Sequence, residues 1–164
     1  TFQIPLEQYL AATPEVWAQA AEEAGTARLN LDGLLNEEER EALGLTEGVL
    51  TLNGEGAARL LEEAELEPAR LAGLRAGIWQ SFARQNRENR TFSAVTMEEV
   101  KKLSAEHSGF IKTMWCGDAA CEEKMKEEAG LSSRCMPFEQ EHLSDVCPCC
   151  GRPAKTMVIW GKAY

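Results

Sequence analysis

Trp115-Cys116-Gly117-Asp118-Ala119-Ala120-Cys121-Glu122 and, 25 residues further on, Cys147-Pro148-Cys149-Cys150-Gly151 decide how this chain is read. Two cysteines five apart, followed by a C-x-x-C-G knuckle, can put four thiolates around one tetrahedral zinc ion. Four thiolates leave no open coordination position, so the spacing points to a structural zinc and away from a hydrolytic one. Cys116, Cys121, Cys147 and Cys150 are the candidate ligands. Cys149 is an additional thiol inside the knuckle, and pairing it with Cys150 would make adjacent ligands, a poor geometry for one ion. His142, in the segment 139–145, is a possible substitute. Cys135 reads as a small buried hydrophobe in a strand. Such a site carries a net charge of about −2, which Arg152 and Lys155 lie close enough to offset.

All six cysteines fall between residues 116 and 150, and the first 115 residues have none. That clustering suits a metal site better than a disulfide framework stapling a whole domain. A thiol redox protein using Cys147, Cys149 and Cys150 is the rival chemistry; it requires a reactive thiolate and little bound metal.

The 164 residues suffice for one ordinary domain or two small ones, and a 44% apolar share supports a packed core. Charge divides the chain. Residues 1–74 hold 15 acidic and 4 basic side chains, a net −11, whereas residues 75–164 hold 12 and 13, a net +1. The first part is therefore repelled by phosphate backbones, and DNA is not an expected partner. No apolar run approaches the ~18 residues of a membrane helix, and the N-terminus has no charged region leading into an apolar one. A cytoplasmic location is the simplest reading. The first residue is Thr1, not Met, which leaves room for a removed segment or a longer parent protein.

The fold class expected is α+β: a mainly helical N-terminal region followed by a small zinc-stabilised α/β module. Residues 1–75 form the acidic region, 76–92 a connecting helix and linker, and 93–164 the metal-binding domain. Thr13 and Pro14 open a first helix that Gly25 ends, with Trp17 on its apolar stripe. Asn36 with Glu39 is a capping box for a second, ending at Gly44. Val49–Leu52 reads as a strand entering a tight turn at Asn53-Gly54, with a helix from about Gly56 to Glu65. Pro68 begins the longest helix, to about Asn89, with Leu71, Leu74, Ile78 and Phe82 as its buried stripe. Gly73 and Gly77, four apart, suggest another backbone packed close. Thr96 with Glu99 caps a helix to Glu106 and 109–114 is a strand. Residues 119–128 are helical, closed by Gly130, and 133–137 and 157–160 are further strands.

Gly109-Phe110-Ile111, Trp115-Cys116-Gly117-Asp118, Cys121-Glu122, Lys126-Glu127, Arg134-Cys135-Met136-Pro137-Phe138 and Cys147-x-x-Cys150-Gly151-Arg152-Pro153-Ala154-Lys155 keep their order and spacing in one known family. Together with the ending Lys162-Ala163-Tyr164, they resemble the C-terminal domain of archaeal/eukaryote-type prolyl-tRNA synthetases. The preceding Arg87-Glu88-Asn89-Arg90-Thr91 and Met97-Glu98-Glu99 are similar to the segment leading into that domain. The resemblance covers about residues 80–164. It implies a class II parent enzyme that activates proline with ATP and Mg2+ and charges proline tRNA. It also implies structural zinc on the four cysteines, and a terminal Tyr164 whose carboxylate reaches toward the parent's active site. The implied partners are the parent's catalytic and anticodon-binding domains, and proline tRNA only indirectly. Residues 1–75 do not resemble an anticodon-binding domain, and no class II catalytic motif is present, so this chain has no catalytic residues of its own. The alternative is a freestanding, non-catalytic zinc-binding interaction module.

Overall fold

Helical and extended signals alternate along the chain and resolve into two units, Thr1–Glu88 and Asn89–Tyr164. The computed structural model describes residues 14–162, with side chains from residue 19 onward. Thr13, the Trp17 side chain and Tyr164 lie outside the described residues. Among those described, no helix is long and apolar enough to cross a membrane.

The first unit contains α1 (Pro14–Ala24), β1 (Ala27–Asn30), α2 (Glu37–Ala42), β2 (Val49–Leu52), α3 (Gly54–Glu63) and α4 (Pro68–Asn89). Gly25, at φ +75°, ends α1, and its N–H donates to Ala21 O and Glu22 O. Asn36 and Glu39 form the expected reciprocal capping box at the start of α2. Glu39 also takes Arg70 of α4 on both carboxylate oxygens, at 2.6 and 3.1 Å. The Arg70 guanidinium, with the Asn36 N–H, holds the Glu39 carboxyl below its usual range.

β1 was not expected from the sequence. It pairs antiparallel with β2, Ala27 facing Leu52 and Asn30 facing Val49. No hairpin follows β2: Asn53 accepts the Gly56 N–H at 2.8 Å and caps α3, so the helix starts two residues earlier than the turn reading allowed. On α4, Leu74, Ile78 and Phe82 of the expected stripe are buried, in a core shared with Leu29, Leu31 and Leu60, whereas Leu71 is only half-buried at its edge. The glycine pair behaves differently from expectation. A Cβ on Gly77 would lie 2.5 Å from Leu34 Cδ1, a side chain and not a backbone, and Gly73 faces open space.

The second unit contains β3 (Thr91–Ser93), α5 (Met97–Glu106), β4 (Phe110–Trp115), α6 (Ala119–Ala129), β5 (Leu131–Cys135) and β6 (Thr156–Lys162). The sheet order is β3-β4-β6-β5. β3 and β4 are parallel, the arrangement that needs a crossover, and α5 supplies it. β6 runs antiparallel to both β4 and β5, with Lys112 opposite Ile159 and Ser133 opposite Trp160. Its Met157, Val158 and Trp160 are buried, and the Trp160 Nε1–H donates to Thr113 Oγ1 at 2.9 Å, satisfying a polar pair in the core. The turn before β4 requires glycine. Gly109 has φ +152°, and a Cβ there would sit 2.1 Å from Arg90 O, the carbonyl that accepts the Phe110 N–H.

The observed fold is α+β. For α4, Gly73→Ala should stabilise the protein by about 0.5–1 kcal/mol, the usual helix-interior difference. Gly77→Ala should gain less or destabilise, because Leu34 must give way. Urea unfolding of both variants checks this; Gly77→Ala emerging as the more stabilising change would contradict the packing of Leu34.

Candidate metal centre

Two short chain segments bring the sulfurs together. The first leaves the end of β4 at Cys116, turns at Gly117 (φ +86°) and enters α6, whose N-cap Asp118 accepts the Ala120 N–H at 2.9 Å. Asp118 O also accepts the Cys121 N–H at 3.0 Å and the Trp115 Nε1–H at 3.3 Å. Cys121 is thereby fixed on the first turn of α6, facing back toward Cys116. The second segment lies between β5 and β6. Val146 bridges Pro153, and the Cys147 N–H donates to Arg152 O at 2.9 Å. The Gly151 N–H donates to Cys147 O, also at 2.9 Å, and Gly151 takes φ +69°. A small hairpin results, with Cys147 and Cys150 on its inner side.

The sulfurs of Cys116, Cys121, Cys147 and Cys150 all lie within 4.8 Å of one another. Cys116 Sγ is 3.6 Å from Cys121 Sγ and 3.6 Å from Cys150 Sγ. A tetrahedron with metal–sulfur bonds of about 2.3 Å has sulfur–sulfur edges of about 3.8 Å. A disulfide needs about 2.05 Å, and all six cysteines are free. The spacing is therefore that of four ligands around a central ion, and these residues can hold a metal. Cys121 and Cys147 are buried, Cys116 is half-buried and Cys150 is exposed, so the site has one open side.

Burial pushes the thiols of Cys116 and Cys121 up, because ionising them without a cation nearby leaves charge in an apolar place. Cys150 goes the other way. The Arg152 guanidinium, with Nε 3.4 Å from its sulfur, brings the thiol down to about 6. Arg152 is itself paired with Asp118, whose carboxyl it holds below the ordinary range. A divalent ion held by Cys116, Cys121, Cys147 and Cys150 would supply the missing positive charge and favour their thiolate forms.

The residues left open by the sequence now have places. Cys149 is not one of the four clustered sulfurs: it is buried, its Sγ donates to Cys121 O at 3.4 Å, and burial pushes its thiol up to about 12. His142 is exposed and pairs with Asp145 at 3.2 Å, apart from the sulfurs. Lys155 is exposed and takes no part in the hydrogen bonds to sulfur seen among the described residues. Cys135 is exposed, contrary to the buried reading: it ends β5, the edge strand of the sheet, where Ser133 and Arg134 are exposed as well. Sequence reasoning missed Asp118 as both helix cap and partner of Arg152. An aspartate just before a helical stretch was the available signal.

Residues 97–164 match the family model described as the C-terminal domain of prolyl-tRNA synthetase. Proline–tRNA ligase 2 of Bacillus thuringiensis subsp. konkukian is 65% identical over 78 residues, covering 48% of this chain and 16% of that protein. Proline–tRNA ligase of Clostridium novyi is 61% identical over 82 residues, 50% of this chain and 17% of the relative. The Clostridium botulinum enzyme is 47% identical over 104 residues, 63% of this chain and 22% of the relative. The chain thus spans about a fifth, or less, of the length of these bacterial relatives. The segment 97–164 is similar to the C-terminal domain of prolyl-tRNA synthetases, and all four clustered cysteines lie within it.

The geometry separates two neighbouring cysteines. Cys149→Ala should keep the metal and cost about 1 kcal/mol for the lost hydrogen bond and packing, whereas Cys150→Ala should lose the metal. Elemental analysis of both purified variants checks this. An emptied site in Cys149→Ala and a full one in Cys150→Ala would overturn the assignment.

Proposed function

We propose that this chain is the C-terminal part of a proline–tRNA ligase of the archaeal/eukaryote type, in which residues 93–164 form a zinc-stabilised structural domain. The observation that carries this reading is the convergence of four sulfurs at metal-ligand spacing inside the one segment that matches the synthetase family. Cys116, Cys121, Cys147 and Cys150 would hold the ion. Zinc bound this way supplies a crosslink and no reactive position, since four protein ligands close the coordination sphere.

The chemistry of the parent enzyme, activation of proline by ATP with Mg2+ and its attachment to proline tRNA, belongs to other domains. In this reading the zinc domain docks on the catalytic and anticodon-binding domains, and Tyr164 directs its carboxylate toward the active site. Apparent zinc binding energies of about 10–16 kcal/mol in small thiolate sites match or exceed the about 5–15 kcal/mol that keeps an ordinary domain folded. The metal is therefore expected to decide whether this small unit folds. In this reading residues 76–92 connect it to the acidic region 1–75, whose core also takes in Ile78 and Phe82 of the connecting helix. That separate core favours a second reading, in which the chain is a freestanding interaction module that shares the zinc domain.

The test is the native reading frame and its product. A frame extending into class II catalytic motifs, with proline-dependent charging of tRNA by the full protein, supports the synthetase reading. A complete frame beginning near Thr1, with no such activity, supports the freestanding module. For the metal, Cys116→Ser should release zinc and unfold residues 109–164, seen as loss of the metal together with loss of the β4–β6 amide protection. Full zinc retention with an unchanged cooperative melt would refute the ligand set.

A further inference from the structure

The two sulfurs on the open side of the site share one neighbour. Arg152 lies with Nε 3.4 Å from Cys150 Sγ and Nη2 4.0 Å from Cys116 Sγ. Those are the exposed and the half-buried members of the cluster, while Cys121 and Cys147 are buried. The same guanidinium is paired with Asp118, which caps α6 and so belongs to the other cysteine segment. Arg152 therefore spans the opening, tied at one end to the knuckle backbone and at the other to the helix cap.

We infer that Arg152, anchored by Asp118, is a positioning and shielding residue of the metal site, setting how fast its accessible thiolates are attacked and not whether the site forms. The inference rests on the zinc reading above. Three physical effects converge. The guanidinium places one positive charge beside a tetrathiolate complex of net charge about −2. Its N–H groups donate hydrogen bonds to sulfur, drawing off the electron density that an electrophile would meet. Its bulk covers the side from which Cys150 and Cys116 can be reached. Lysine could supply the charge but not the planar fork that reaches both sulfurs and the carboxylate at once.

The probe is iodoacetamide acting on the zinc-loaded full chain. A thiolate sulfur displaces iodide from the reagent's carbon, forming a thioether and free iodide. The thioether is a poor ligand, so the ion leaves and a metallochromic indicator records it. Wild type, Arg152→Gln, Arg152→Lys and Asp118→Asn would be compared. Asparagine caps a helix about as well as aspartate, so Asp118→Asn removes the ion pair while keeping α6 in place.

All four proteins should bind one zinc per chain. Arg152→Gln should release it roughly tenfold faster, the lower end of what neighbouring hydrogen-bond partners contribute at metal sites. Among the four ligands, peptide mapping should find the first label on Cys150, with the exposed non-ligand Cys135 labelled alike in all four proteins. Arg152→Lys and Asp118→Asn should fall between Arg152→Gln and wild type. Release from Arg152→Gln at the wild-type rate, or first labelling at Cys121 or Cys147, overturns the inference while leaving the zinc reading intact. So does an Arg152→Gln protein that folds but binds no zinc. A wild-type protein without zinc fails the underlying reading instead.

Discussion

Four sulfurs from two distant segments must meet within a few ångströms, and the architecture of the second unit follows from that requirement. The strand β4 delivers Cys116, and the first turn of α6 delivers Cys121. The hairpin between Val146 and Pro153 delivers Cys147 and Cys150. Each segment is held by its own backbone hydrogen bonds before any metal is considered: Cys121 N–H to Asp118 O on one side, Cys147 N–H to Arg152 O on the other. β6 lies in the middle of the arrangement. It follows the knuckle in the chain and pairs with both β4 and β5, so the second cysteine segment is brought beside the first through the sheet.

The two units rely on different physics. The first is closed by apolar packing, with Leu29, Leu31, Leu74, Ile78 and Phe82 out of water, and with Arg70 joined to Glu39 across two helices. The second has a core around Met114, Met125, Met157 and Trp160, but it also gathers thiols that burial resists ionising. Without a cation those buried sulfurs are weak hydrogen-bonding groups of little benefit to folding; with one they become ligands. Arg152 already supplies positive charge on the open side, where Cys150 is exposed.

Much of this was legible in the sequence because the signals were local. Asn36 with Glu39 and Thr96 with Glu99 both form the capping boxes their spacing announced, and α4 runs from Pro68 to Asn89 as its period required. The four cysteines were legible because knuckle spacing reports geometry over a few residues. What was missed depended on pairing at a distance. β1 is only Ala27–Asn30, with residues of low strand preference, and exists because it pairs with β2 about 20 residues away. β3 is three residues long and is defined by its parallel partner β4. Gly77 was rightly seen as a packing site, but nothing local could say that the neighbour is the Leu34 side chain. Cys135 is exposed where a buried residue was expected, because it ends β5, the edge strand of the sheet.

Zinc K-edge X-ray absorption on the purified full chain examines the central claim most directly, because it counts the atoms bonded to the ion. The account expects four sulfur scatterers at about 2.3 Å and no lighter atom in the first shell. A shell containing nitrogen or oxygen at about 2.0–2.1 Å, or a preparation in which the thiols are free and no zinc is bound, would contradict it.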